Sequence, residues 1–397
     1  LFGIRVTDSS HHPGALPPGD ARRYSREAFL FMSFVLLLLG LGFTAFVTRM
    51  YHRRVHTLAD SWFLKGEASY RSGEAAAALA DYRNALVYAP NNPQFQFHLA
   101  QALAATGHGE EARSYLLNLL SESPGSGEVN LELARIAARQ GSMPEALRYY
   151  HGAIYGVWDS DPIAMRWRLR RELSEYLLEH GAANQAVAEI IQLADNTPPD
   201  DITRLKITGD LLSRAQLWGR ALSTFRSVLA ADKSDADALA GAGAASFEMF
   251  EYSQAAEYFD RLPREKSADP KMAEMATTSR QVLDADPFVT GLSRDEKARR
   301  AAAALSIAQG GLNRCAGSRG SSLTASLPVT PLEKAIADSY AMEKEWDLRN
   351  LLLHPERVDA AMSLAFHMEN LSAQVCRPPE GTDRALWLLG RSRGAMP

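Results

Sequence analysis

Two histidines stand four residues apart in "MYHRRVHTL", His52 and His56. On a helix that spacing puts both imidazoles on one face, where they could bind a metal ion. A polar turn flanking an apolar segment explains the same pair more simply, and no metal site is assigned to it. His354 and His367 are isolated and suit surface or packing roles. The sequence has no phosphate-cradling glycine loop, no GxSxG, no HExxH, no CxxCH and no CxxC. Acidic and basic residues are interspersed, and no carboxylate pair is placed for acid–base work. The basic run "RWRLRRELSEY", Arg166 to Tyr176, reads first as a solvated helix face and second as a patch for an acidic partner or lipid headgroups. No catalytic residue, metal ligand or cofactor is therefore expected.

The elements that would carry any binding function divide the chain. Length allows two or three domains, and a net charge of −4 gives no electrostatic case for nucleic acid. Residues 1–28 hold "HHPGALPPGD" and read as a flexible tail. Residues 29–47, "FLFMSFVLLLLGLGFTAFV", contain no charge. As a helix they span about 28 Å, close to the hydrocarbon thickness of a bilayer. A buried core helix would show a polar stripe. A cleaved signal would be shorter and end in a small-residue site. An uncleaved membrane anchor is the reading that remains. Arg22, Arg23 and Arg26 on one side balance Arg49, Arg53 and Arg54 on the other, so charge does not fix the orientation.

From residue 60 a period appears. Gly66, Gly73, Ala78, Tyr82, Ala85 and Pro90 are spaced as two short helices joined at Gly73. A step of 34 residues takes Gly73 to Gly107 and Gly141, Ala78 to Ala112 and Ala146, and Pro90 to Pro124. After a six-residue slip in "YGVWDSDPIAMRW" the pattern returns at Gly181, Ala186, Ile190 and Pro198, and more loosely at Gly209, Ala221 and Phe225. A sixth copy has Gly243, Ala255 and Phe259, with Phe250 in place of the turn glycine. This pattern resembles the tetratricopeptide repeat, a 34-residue helix–turn–helix unit. Trp62, Gly66, Gly73, Ala78, Tyr82, Ala85 and Pro90 carry the resemblance over about residues 60–265. An all-α chain is expected: a transmembrane helix, about six repeats, and a C-terminal helical capping module over 266–397.

Within that module, a capping helix should end at Pro287, and a second should run from Ser293 to Gly310-Gly311. Further helices are expected near 332–352, 356–375 and 382–392. Cys315 and Cys376, the only cysteines, both sit at helix ends beside loops. A disulfide between them is one reading, and two buried thiols are the other. A bridge would place the repeats in an oxidising space. In bacterial terms the anchor would then lie in the inner membrane and the repeats in the periplasm. The cytoplasmic side stays open otherwise.

The resemblance implies a protein-binding groove lined by the first helix of each repeat. Phase counted from the turn glycines points Glu67, Tyr70, Arg71, Phe97, Gln101, Arg135, Arg139, Glu175, Glu179, Asp210 and Arg214 into it. The lining is mixed in charge and suits a protein segment rather than a uniformly acidic tail. Arg135 stands where an asparagine would be needed to clamp a terminal carboxylate. The expected function is a non-enzymatic, membrane-tethered interaction scaffold, an accessory or assembly subunit of a larger membrane complex. Its expected partners are other proteins of that complex, and the lipid bilayer through residues 29–47. The alternative is an enzyme or cofactor carrier with its site in the C-terminal module.

Overall fold

The computed structural model describes residues 20–159, 161–318, 334, 346–376 and 381–395, with the side chains of 20–27 and 316–318 outside the description. The described residues are helical, apart from turns and one isolated bridge, and form two compact units divided between Trp158 and Asp159. The division falls in the expected longer connection rather than at residue 265.

In the first unit, α1 (Asp20–Arg71) packs on α2 (Ala75–Tyr88), followed by α3 (Pro93–Ala105), α4 (Gly109–Glu122), α5 (Gly127–Arg139) and α6 (Met143–Ile154). The anchor and the first repeat helix were expected as separate elements, yet α1 joins them without a break. Residues 48–59 hold no glycine or proline that would end a helix. The apolar stretch is long enough to cross a membrane, and none of it is buried. Lower on α1, Ala59 is buried with Ala85 and Phe95.

Each repeat closes its first helix the same way. Gly73, Gly107 and Gly141 adopt φ of 85°, 85° and 74°. The next amide then reaches back five residues, as in Glu74 N–H to Ser69 O at 2.9 Å and His108 N–H to Leu103 O at 2.9 Å. Helix starts are set by side chains: Asn92 accepts from the amides of Gln94 and Phe95, with Pro93 in the first turn. The inner crossing is tight because Gly66 has no side chain; a Cβ there would meet the Tyr82 ring at 2.7 Å.

The second unit continues with α7 (Pro162–Glu179), α8 (Ala183–Asp195), α9 (Ile202–Arg214), α10 (Trp218–Ala231), α11 (Ala236–Glu248), α12 (Tyr252–Asp260), α13 (Arg264–Ser267), α14 (Pro270–Ala285) and α15 (Arg294–Ser318). After these come α16 (Leu348–Leu353), α17 (Val358–Val375) and α18 (Gly381–Ser392). Most of the helix expected near 332–352 and the tail 1–19 lie outside the described residues. One core runs from Phe259 of the last repeat through Val282, Leu305, Met362 and Leu389 of the C-terminal helices.

Helix α15 does not stop at Gly310-Gly311 as expected. Gly311 is a packing glycine: a Cβ there would come 3.2 Å from Asp383 Oδ2 and 3.5 Å from Glu369 Oε1. The structure pairs Cys315 at the end of α15 with Cys376 after α17, Cα–Cα 5.9 Å.

Candidate functional site

In the first unit, helices α1, α3 and α5 each contribute side chains to one surface. Glu67 on α1 is its first fixed point. Its Oε1 accepts from Tyr82 Oη at 2.6 Å and lies 2.9 Å from His98 Nδ1, while Arg71 approaches Oε2 at 3.5 Å. Burial, then the bond to Glu67, raises the Tyr82 pKa well above the ordinary phenol value. Burial lowers the His98 pKa, and Glu67 opposes it. A carboxylate only accepts, so Nδ1 of His98 carries the proton and Nε2 of the neutral ring is left as an acceptor.

The second point is Tyr70. Burial and then Glu132 raise its pKa, while Arg135 and Arg139 act against them. Gln101 donates to Glu132 Oε1 at 3.2 Å, and Arg135 approaches the same oxygen at 3.5 Å. The structure thus brings Glu67, Tyr70, Arg71, Gln101, Arg135 and Arg139 together. Phe97, half-buried, sets its ring against His98 at 5.7 Å. Glu132 and His98 escaped the sequence reading. Both are helical neighbours of expected residues: Glu132 lies one turn before Arg135, and His98 follows Phe97.

The second unit has its own cavity of about 680 Å³, lined by α7, α9, α10, α11, α13 and α14. Glu175, Asp210 and Arg214 line it; Glu179 does not. Three further ion pairs there come from residues the sequence reading passed over. Lys206 bridges Asp235 at 3.1 Å and Asp237 at 3.0 Å, and Lys266 meets Asp237 at 2.8 Å. Lys266 first, then Lys206, holds the Asp237 carboxyl below the usual range, and hydrogen bonds to Asp237 and Asp235 raise the Lys206 pKa. Gly241 leaves room for Phe225, which lines the cavity, since a Cβ would sit 2.4 Å from that ring. These partners are separated by 29 to 31 residues, close to one repeat, which is the signal that would have found them.

The basic run on α7 is divided by packing. Arg170 is buried against Glu189 at 3.1 Å, and Trp167 donates to Thr197 Oγ1 at 3.0 Å, while Arg166 and Arg168 are exposed. His52 and His56 are exposed on α1, and among the described residues no three metal-binding side chains gather.

Comparison with known proteins bears on the repeats. The family description "tetratricopeptide repeat" matches residues 63–127, 97–162 and 208–270. A curated relative, the TPR repeat-containing thioredoxin TTL4 of Arabidopsis thaliana, is 36% identical over 94 residues, 23% of this chain; the match spans only 14% of that protein. Among solved structures, YrrB, a TPR protein with an unusual peptide-binding site, is 17% identical with a TM-score of 0.38, covering 49% of this chain and 97% of YrrB. The C-terminal part of a TPR repeat-containing protein from Cytophaga hutchinsonii is 12% identical with a TM-score of 0.41, covering 82% of this chain and 99% of that one. The chain carries tetratricopeptide repeats, of the helix–turn–helix kind on which protein–protein interaction modules are built.

Proposed function

We propose that this protein is a non-enzymatic scaffold tethered to a membrane by the apolar part of α1, and that its repeats hold a segment of another protein of a membrane-associated complex. The observation that carries the reading is the surface shared by α1, α3 and α5. Tyr70, Gln101, Glu132, Arg135 and Arg139 offer hydrogen-bonding groups of both charges there. Such a surface recognises an extended or folded segment of mixed charge and discriminates against a uniformly acidic one. The disulfide between Cys315 and Cys376 supports an oxidising compartment, the periplasmic face of a bacterial inner membrane.

The test is recovery of the partner in mild detergent from cells carrying Arg135→Glu together with Arg139→Glu. Partner recovery is expected to fall several-fold with helix content unchanged. Undiminished recovery moves the binding surface elsewhere.

A further inference from the structure

Helices α1, α3 and α5 run in one direction and α2, α4 and α6 in the other. The turns after the even helices therefore share one edge of the first unit with the apolar part of α1. That edge comprises residues 89–92, 123–126 and 155–158; the three stretches hold no charged residue, and exposed Glu122, Glu128 and Asp159 flank them. The opposite edge is flanked by Arg71, Glu74 and Arg139.

The last of these turns is braced. Val157 N–H donates to Gly125 O at 2.8 Å, and Gly127 N–H donates to Val157 O at 3.0 Å. Trp158 donates from Nε1 to Ala153 O at 2.8 Å and lies against Gly127, which has no side chain to block it. This bracing holds two large side chains outward: Tyr155 is 68% exposed and Val157 73%. Ordered backbone presenting an aromatic and an aliphatic side chain to solvent is not what a spacer requires.

Distance along α1 says what this edge faces. Ala59 packs at the level of the turn after α2. The twelve residues from Val47 to Ala59 rise about 18 Å. The headgroup layer takes up roughly 6 Å of that, and a helix tilt of about 20° lowers a helix two repeats away by roughly 7 Å. A tyrosine side chain covers the remainder. Resting on the reading of α1 as a membrane helix, we infer that the braced loop Tyr155–Trp158 is an interfacial anchor, which sets this edge of the first three repeats against the bilayer surface. Tyrosine has the apolar body and polar tip suited to that depth.

The test uses the full chain with a single added cysteine, Leu38→Cys, Val157→Cys or Ser72→Cys, labelled with a polarity-sensitive fluorophore under non-reducing conditions. Wild-type chain labelled in parallel reports any background. Each is reconstituted in phosphatidylcholine vesicles carrying a nitroxide at the headgroup or deep in the acyl chain. The expected result is quenching of position 38 by the deep nitroxide, quenching of 157 by the headgroup nitroxide, and neither at 72. Position 157 as wet and unquenched as 72, with 38 quenched, overturns the anchor alone. Position 38 unquenched overturns the membrane reading and the anchor with it.

Discussion

In the first repeat, Glu67 is met by Tyr82, His98 and Arg71; in the C-terminal helices, Glu369 is 1% exposed and, among the described residues, neither of its oxygens has a hydrogen-bond partner. Burial first, and then the nearby Asp383, pushes the Glu369 pKa up to about 8, against the pull of Arg314. Arg314 itself is bonded to Asp383. In the first three repeats Gln101 and Arg113 find Glu132 and Glu145 about one repeat away. In the later repeats Ser174, Ser246 and Tyr252 each keep a buried polar atom unpaired, but among the described residues only Glu369 does so with both carboxyl oxygens. The C-terminal helices, outside the period, bury a carboxyl that they hold as the neutral acid. They also carry the disulfide, one turn along α15 from Gly311 and beyond Glu369 on α17. The difference suggests a division of labour, in which a crosslink supports a core that local rules leave imperfect.

Removing that support should have the largest effect. The bridge closes a separation of 61 residues. In the chain-entropy model this stabilises the folded state by about 4 kcal/mol, less where the native geometry strains it. Cys315→Ser with Cys376→Ser should lower the urea midpoint of the second unit and leave that of the first unchanged. Coincident loss in both units would show that the comparison has been drawn in the wrong place.

The carboxyl itself comes next. Folded Glu369 keeps its proton to about pH 8, whereas the unfolded side chain releases it near 4.5. Between those values the folded state binds more protons, so stability falls as pH rises. The contribution is fully present below pH 4.5 and gone above pH 8. Glu369→Gln should stabilise the second unit by about 1–3 kcal/mol at pH 8 and leave it nearly unchanged at pH 4. A variant that is less stable at pH 8 would mean that the ionised carboxylate has a partner.

These features differ in how far the sequence announces them. The turn glycines are legible because a left-handed residue is needed at a fixed period, and only glycine adopts it freely. Gly310-Gly311 misled for the same reason: a glycine pair reads as a stop, but burial against Glu369 and Asp383 uses its missing side chain instead. The side chains that share a surface on α1, α3 and α5 followed from helical phase. The Lys206–Asp237–Lys266 network was passed over although its partners lie about one repeat apart, since charges on successive helices look solvated until the repeats are stacked. Glu369, in "FHMENLSAQ", is indistinguishable in sequence from an exposed glutamate.

The turns themselves give a smaller test. Gln216 and Phe250 take the left-handed place in the second unit, with φ of 59° and 61°, and the same five-residue bond forms at Leu217 and Glu251. Gln216→Gly should therefore stabilise by about 1 kcal/mol, by relieving a conformation that side chains adopt reluctantly. Phe250→Gly should gain less or lose, because its ring packs on the C-terminal core and lies under the Arg391 guanidinium at 5.4 Å. Equal gains at both positions would mean that this ring contributes nothing.

The smallest effect lies back at Glu67. His98 is half-buried, and burial keeps its pKa below the usual imidazole value, with Glu67 as the first group opposing the shift. As pH falls below 6.5 the unfolded chain takes up the proton before folded His98 does. Its contribution is present above that value and is lost as pH falls through the folded pKa, the reverse of Glu369. Replacing the carboxylate by an amide removes the opposing charge but keeps an oxygen for Nδ1–H. In Glu67→Gln the His98 ring, followed by NMR, should titrate at lower pH than in the wild type, with stability near neutral pH altered by no more than about 1 kcal/mol. A titration moved upward would show that the carboxylate does not face this ring. In that case the satisfied cluster in the first repeat would be no counterpart to the unsatisfied carboxyl at the other end of the chain.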